Sequence, residues 1–199
     1  MVATQSQPDP LHMSEAEYLA FEDSSAIKHE FVAGKVYAMT GASLTHNLIC
    51  QNTATTLSTQ LDDTPCLVVA NDLRLKVDSK VAFRYPDVMV ICDTPQYVDD
   101  RVDTIHNPQV IIEVLSPSTA LTDRNDKLQE YMKLESVQEY VLIAQHTAQI
   151  ERYTRQSSGE WLYKSVSGVD NIIDLRSINC VLALAKVYKK VDFAGDGDR

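Results

Sequence analysis

Basic residues are scarce in this chain: 18 Lys and Arg stand against 28 Asp and Glu, a formal net charge of −10 over 199 residues. That balance argues against nucleic-acid binding by broad electrostatic attraction. It leaves room for a carboxylate site whose divalent cation inverts the local charge, with a basic patch beside it. Long apolar runs are also missing, and no stretch approaches the ~20 residues that a membrane-spanning helix needs. The opening MVATQSQPDP carries neither a basic cluster nor an apolar core, so no signal peptide is expected. There are only four cysteines, Cys50, Cys66, Cys92 and Cys180, widely spaced in apolar surroundings. They read as buried free thiols rather than a disulfide framework or a zinc site, which implies a reducing, cytoplasmic setting. No internal repeat is present, and no nucleophile-elbow pattern surrounds Ser116 or Ser118, where Pro117 suits a strand-to-helix turn. Nothing resembles an aromatic sugar platform, which ranks a carboxylate-pair glycosidase last among the hydrolases.

What is present is an ordinary globular composition, 44% hydrophobic and 23% charged. The length suits one domain, expected over 11–191, with loose tails at 1–10 and 192–199. Ser14 with Glu17 forms a capping box that opens a short helix to about Phe21. KHEFVAGKVYAM alternates around Ala33-Gly34 as a hairpin. Ser43 or Thr45 caps a second helix to about Leu61, with Leu44, Leu48, Asn52 and Leu57 on its partly apolar side. Strands are expected at Cys66–Ala70 and Leu73–Val77 around the turn Asn71-Asp72. Two strongly apolar strands follow, within YPDVMVIC and QVIIEVL, and their continuous runs suit a sheet covered on both faces. A helix from about Thr122 to Leu134, a buried strand in EYVLIAQ, a hairpin around Ser158-Gly159 and a short helix in LALAKVYKKV complete an α/β chain with a mixed sheet.

The two central strands each carry an acid that is out of place. Asp87 stands at the entry to VMVIC, and Glu113 lies inside VIIEVL among apolar neighbours. Ionised carboxylates are rarely buried without compensation. Adjacent strands lie about 4.8 Å apart, close enough for two such side chains to share one cation. Magnesium takes oxygen ligands, commonly one or two carboxylates with water and substrate phosphate. On the following helix Asp123, Lys127 and Tyr131 recur every four residues and share one face. A lysine there holds or deprotonates an attacking water, or neutralises charge developing on a phosphate. Taken on the helix alone, Asp123 and Lys127 read as a surface ion pair with Tyr131 packed inward.

YPDV, VIIEVLSPST and DRNDKLQEY in that order, with EFVAGKVYAM before and QEYVLI after, resemble the PD-(D/E)XK nuclease superfamily. Within it, the similarity is to the Uma-two family of restriction endonucleases, from about Leu11 to Val191. The resemblance implies a restriction-endonuclease-like core, a mixed sheet flanked by helices. It implies that Asp87 and Glu113 bind Mg (or Mn), that Glu30 joins them, and that Lys127 acts at the site. It further implies hydrolysis of DNA phosphodiester bonds by a homodimer, with specificity from loops such as Thr94–Asn107 or from a partner protein. One position departs: the superfamily lysine two residues after the second acid is Leu115 here. A non-catalytic module that keeps the fold for binding or assembly is the alternative.

Four further residues are candidate substrate contacts. His46 matches a histidine common in the family, though a histidine lining a helix end is the commoner case. Arg84 and Arg124 are candidate phosphate contacts set against ordinary solvated arginines, and Tyr131 completes the group. Asp99, Asp100 and Asp103 read as a solvated loop, and Trp161 with Tyr163 as hairpin packing.

Overall fold

The structure is a computed structural model that describes residues 11–77, 81–99 and 101–193. The tail expected at 1–10, most of that expected at 192–199, and Asp100 lie outside the described residues. The first half of the chain forms β1 (Leu11–His12), α1 (Glu15–Ser24), β2 (His29–Val32), β3 (Lys35–Ala38), α2 (Leu44–Gln60), β4 (Leu67–Ala70) and β5 (Arg74–Val77). Then come β6 (Ala82–Arg84), β7 (Val88–Ile91), β8 (Tyr97–Val98), β9 (Arg101–Ile105) and β10 (Val110–Leu115). A composite helix follows: α3 (Ala120–Thr122), a π-helical turn (Asp123–Lys127) and α4 (Leu128–Tyr131). The chain closes with β11 (Glu139–Ala144), β12 (Gln149–Arg155), β13 (Trp161–Ser167), β14 (Ile172–Leu175), β15 (Cys180–Ala183) and α5 (Leu184–Val187). Among the described residues no helix is long and apolar enough to cross a membrane.

Local chemistry accounts for the elements that position the site. The Ser14 hydroxyl accepts the Glu17 N–H while the Glu17 carboxylate takes the Ser14 N–H, the reciprocal cap that starts α1. Ala33 and Gly34, both at positive φ, make the two-residue turn that sets β2 against β3. Ser43 caps α2 by accepting the His46 N–H at 3.1 Å. The buried side of α2 is Thr45, Ile49, Cys50, Thr53 and Leu57, whereas Leu44 is exposed. Leu44 is the first helical residue and is exposed, so the buried face is rotated from the expected one.

Two sheets result. One runs β13-β12-β11-β10-β7-β4, the other β1-β3-β2-β6-β5-β9-β8. The pairs β10·β11 and β5·β9 are parallel, and the remaining pairs in these sheets are antiparallel. The central strands of the six-stranded sheet are covered on both faces, as their continuous apolar runs require. Val88, Val90, Val110, Ile112 and Val114 face α2 and α5 on one side; Met89, Ile91, Ile111 and Leu115 pack with Leu75, Tyr131 and Tyr140 on the other. β4 and β5 do not pair with each other. Asn71, in the left-handed region, turns the chain from one sheet into the other. Asp103, expected in a solvated loop, lies on β9 and pairs with the buried Arg74 at 2.7 Å.

One cysteine expectation is corrected. Cys50 and Cys180 are free and buried, but Cys66 and Cys92 form a disulfide. The β4·β7 register explains it: Leu67 opposes Ile91, so the two cysteines fall one step beyond that pair. The cysteine content therefore no longer argues for a reducing compartment. Closing a loop with 26 residues of separation removes about 3.5 kcal/mol of unfolded-state freedom in the chain-entropy picture. Reduction, or Cys92→Ser, is expected to lower Tm by roughly 6–12 °C. Equal melting with and without reductant would show that the bond does not form in solution.

Candidate active site

The register brings the site together. Val88 pairs with Ile112, so Asp87 and Glu113 stand opposite each other one step on, at the same end of β7 and β10. Directly opposed residues of an antiparallel pair share a face. The Asp87 backbone is pinned by the Asn71 N–H at 2.9 Å, and its Oδ2 accepts the Val114 N–H at 2.7 Å. From the helix side, Lys127 Nζ lies 3.0 Å from Glu113 Oε1, 3.3 Å from Glu30 Oε1 and 3.1 Å from Asp123 Oδ1. The Tyr131 hydroxyl donates to the same Glu113 Oε1 at 2.9 Å. One ammonium thus sits among three carboxylates, delivered by a π-helical turn, a wider coil that recurs at functional sites.

The same construction joins the second sheet to the site. Phe31 pairs with Phe83, so Glu30 and Arg84 oppose each other on β2 and β6. Arg84 Nη1 bonds Glu30 Oε2 at 2.7 Å, while its Nε and Nη2 grip Glu130 in a bidentate pair at 2.9 and 3.0 Å. Arg84, read as a candidate phosphate contact, is instead buried and fully engaged by two carboxylates. Arg124 points away to Glu151 at 2.6 Å. Tyr131 is buried against Glu113 and Tyr140 rather than facing solvent. His46 comes close from α2, with Nε2 3.3 Å from Asp87 Oδ2 and Nδ1 3.5 Å from Cys50 Sγ. Asp87, Glu30 and His46 keep 18%, 15% and 12% of their side chains exposed, against 4% for Glu113 and 1% for Asp123. The first three therefore stand at the surface side of the cluster and the last two inside it.

Charge in this space is unbalanced. Five acids (Asp87, Glu113, Asp123, Glu30, Glu130) face two fixed cations, Lys127 and Arg84, a surplus of three negative charges when all are ionised. Burial, aided by Asp123, Asp87 and Glu30, pushes the Glu113 carboxyl up to about 8 despite Lys127 beside it. Burial alone would lower the Lys127 ammonium, but Glu113, Glu30 and Asp123 outweigh it and hold it well above its ordinary range. Burial also opposes charge on Glu30, where Lys127 and Arg84 win and the carboxylate is favoured. Burial would lower His46, and the hydrogen bond and charge of Asp87 more than offset that. Asp123 is the residue that sequence reasoning undervalued. It reads as a surface ion pair by spacing, yet it is buried and neither carboxylate oxygen accepts a hydrogen bond. Lys127 stands near Oδ1 without the alignment of one. The DxxxKxxxY spacing gave the shared face; its burial depends on β10 and β11, which spacing cannot report.

A mixed sheet flanked by helices, with acids at the ends of two neighbouring central strands, is the restriction-endonuclease-like fold. The chain superimposes with a TM-score of 0.73 on the crystal structure of a "putative nuclease belonging to DUF820" from Anabaena variabilis, at 15% identity, covering 88% of this chain and 97% of that one. That likeness concerns the fold. The chain belongs to the Uma2 family, described as "Putative restriction endonuclease", which matches residues 15–185. Among its relatives are two uncharacterized proteins of Synechocystis sp. PCC 6803. The protein sll1609 is 34% identical over 78% of this chain and 88% of its own length. The protein slr1290 is 33% identical over 91% and 94%. Family and fold together give the coarse function, a nuclease-like hydrolase.

Proposed function

We propose that the protein hydrolyses DNA phosphodiester bonds with a divalent cation of the magnesium or manganese class held by Asp87 and Glu113. The observation that carries this reading is the negative surplus in a buried space. Ionised acids are costly there unless a cation is present, and both the raised Glu113 carboxyl and the Asp123 carboxylate, which accepts no hydrogen bond and has only Lys127 near it, fit one. When bound, such an ion supplies a Lewis acid for the phosphate and lowers the pKa of water.

The chain's own residues supply the rest. The three carboxylates around Lys127 favour its ammonium form, which suits a fixed positive charge that neutralises the developing phosphorane or holds the nucleophile better than a base. Glu30 and Asp123 hold that ammonium in place. Tyr131 fixes one Glu113 oxygen. Leu115, at the usual lysine position, packs in the apolar cluster, and Lys127 brings its charge to Glu113 from the helix instead. That geometry favours an active enzyme over a non-catalytic module. Pairing as a homodimer to cut both strands belongs to the same reading.

The test is incubation of supercoiled plasmid and single-stranded DNA with the protein in magnesium, manganese or chelator. Metal-dependent nicking or linearisation is expected. No cutting in any metal, together with no metal binding by calorimetry, would leave the non-catalytic module.

A further inference from the structure

His46 is not accounted for by the two-carboxylate site, and its surroundings are specific. The Ser43 cap fixes the first turn of α2, and Ser43 itself accepts a hydrogen bond from Gln145 at 3.0 Å. Four residues on, the Cys50 sulfur sits 3.5 Å behind Nδ1. The ring is thereby turned so that Nε2 faces Asp87 Oδ2 at 3.3 Å. One donor atom each from His46, Cys50 and Asp87 lies within 4.8 Å of the others. Two ligands each about 2.1 Å from one ion lie roughly 3.0–3.4 Å apart, so the Nε2···Oδ2 ion-pair distance of 3.3 Å is also one that a shared cation can span. Cys50 is buried behind the ring and orients it, as a partner on the far nitrogen of a ligating histidine does. The Asp123 carboxylate, buried and without a hydrogen bond although Lys127 lies 3.1 Å from Oδ1, is a further sign that this space takes positive charge.

We propose that His46, through Nε2, joins Asp87 as a ligand of the divalent cation, and that the site therefore selects ions that accept nitrogen over magnesium. This rests on the reading of Asp87 as a metal ligand. Imidazole suits zinc, iron, copper and nickel, and carboxylate and water suit manganese and magnesium; a nitrogen ligand counts against magnesium most, because magnesium gives up its waters reluctantly. His46 then belongs to the metal centre rather than to substrate contact.

The experiment uses the full chain loaded with Mn2+, with pulsed EPR to detect nitrogen bound to the ion and calorimetry for Mn2+ and Mg2+, on wild type, His46→Gln and Asp87→Asn. Wild type is expected to show an imidazole nitrogen and to bind Mn2+ at least about tenfold more tightly than Mg2+. His46→Gln is expected to lose the nitrogen signal and most of that preference, with its melting temperature checked to confirm folding. Should the variant not fold, the wild-type spectrum decides alone. Wild-type Mn2+ bound without nitrogen coupling, or a nitrogen signal that persists in His46→Gln, overturns the proposal. The carboxylate reading then still stands if Asp87→Asn loses the ion. Mn2+ binding unchanged in Asp87→Asn, or no binding by wild type, overturns both.

Discussion

Asp87→Asn and Glu113→Gln are each expected to lower metal-dependent DNA cleavage by about a thousandfold or more without unfolding the protein. Cation stabilisation of a phosphoryl transition state is worth several kcal/mol, and ~4 kcal/mol corresponds to three decades in rate. The amides keep the local bonds: Asn at 87 still offers an oxygen to the Val114 N–H, and Gln at 113 still accepts from Tyr131 and Lys127. For Glu113 the stability consequence has a definite sign. Its folded carboxyl titrates near 8 rather than at its ordinary 4.5, so between those values the folded chain holds the proton more tightly than the unfolded chain. Stability of the metal-free protein should therefore fall as pH rises through that window. Glu113→Gln should flatten the fall, and saturating metal should flatten it in wild type. Melting curves at about pH 5 and pH 8, with and without metal, read this directly. Full cleavage by either amide variant, measured on plasmid beside wild type, would remove that acid from the centre.

Much of this site was legible because its signals are local or nearly so. The two acids could be seen at the entry to one apolar strand and inside the other, and the observed register puts them opposite each other. The Ala33-Gly34 turn and the Ser14–Glu17 box needed only short-range stereochemistry. The shared face of Asp123, Lys127 and Tyr131 followed from spacing, although a π-helical turn rather than a plain α-helix carries the first two. What escaped depends on distant partners. Asp123 is buried because β11 passes beneath it, where the Tyr140 hydroxyl bonds its carbonyl at 3.0 Å. Cys66 meets Cys92 only through strand pairing across a long excursion into the other sheet. The β14·β15 hairpin, with Ile173 and Leu182 paired under the sheet, carries no strong turn signal and was not anticipated. Arg84 is the clearest case, since its bidentate partner Glu130 lies 46 residues away.

Arg84 also supports the second large prediction. Its guanidinium is buried and bonded to Glu130, which has no exposed surface, and to Glu30 at the surface side of the cluster. Arg84→Met strands the Glu130 charge inside the protein, and breaking a buried pair from one side costs about 3–5 kcal/mol. Tm should drop by roughly 6–20 °C. Most of that loss comes from the unpaired carboxylate rather than from a missing attraction. Adding Glu130→Leu to make Arg84→Met/Glu130→Leu should therefore recover most of it, because a buried pair replaced by apolar side chains is near neutral. The double variant lets function be read apart from folding. Lys127 still pairs with Glu30 and Glu113 in it, so DNA affinity and cleavage should return with stability. A double variant that melts like wild type yet binds DNA weakly would put the guanidinium on the substrate. The opposite result places Arg84 in the wall that holds β2 and the composite helix against the site, where the two sheets meet.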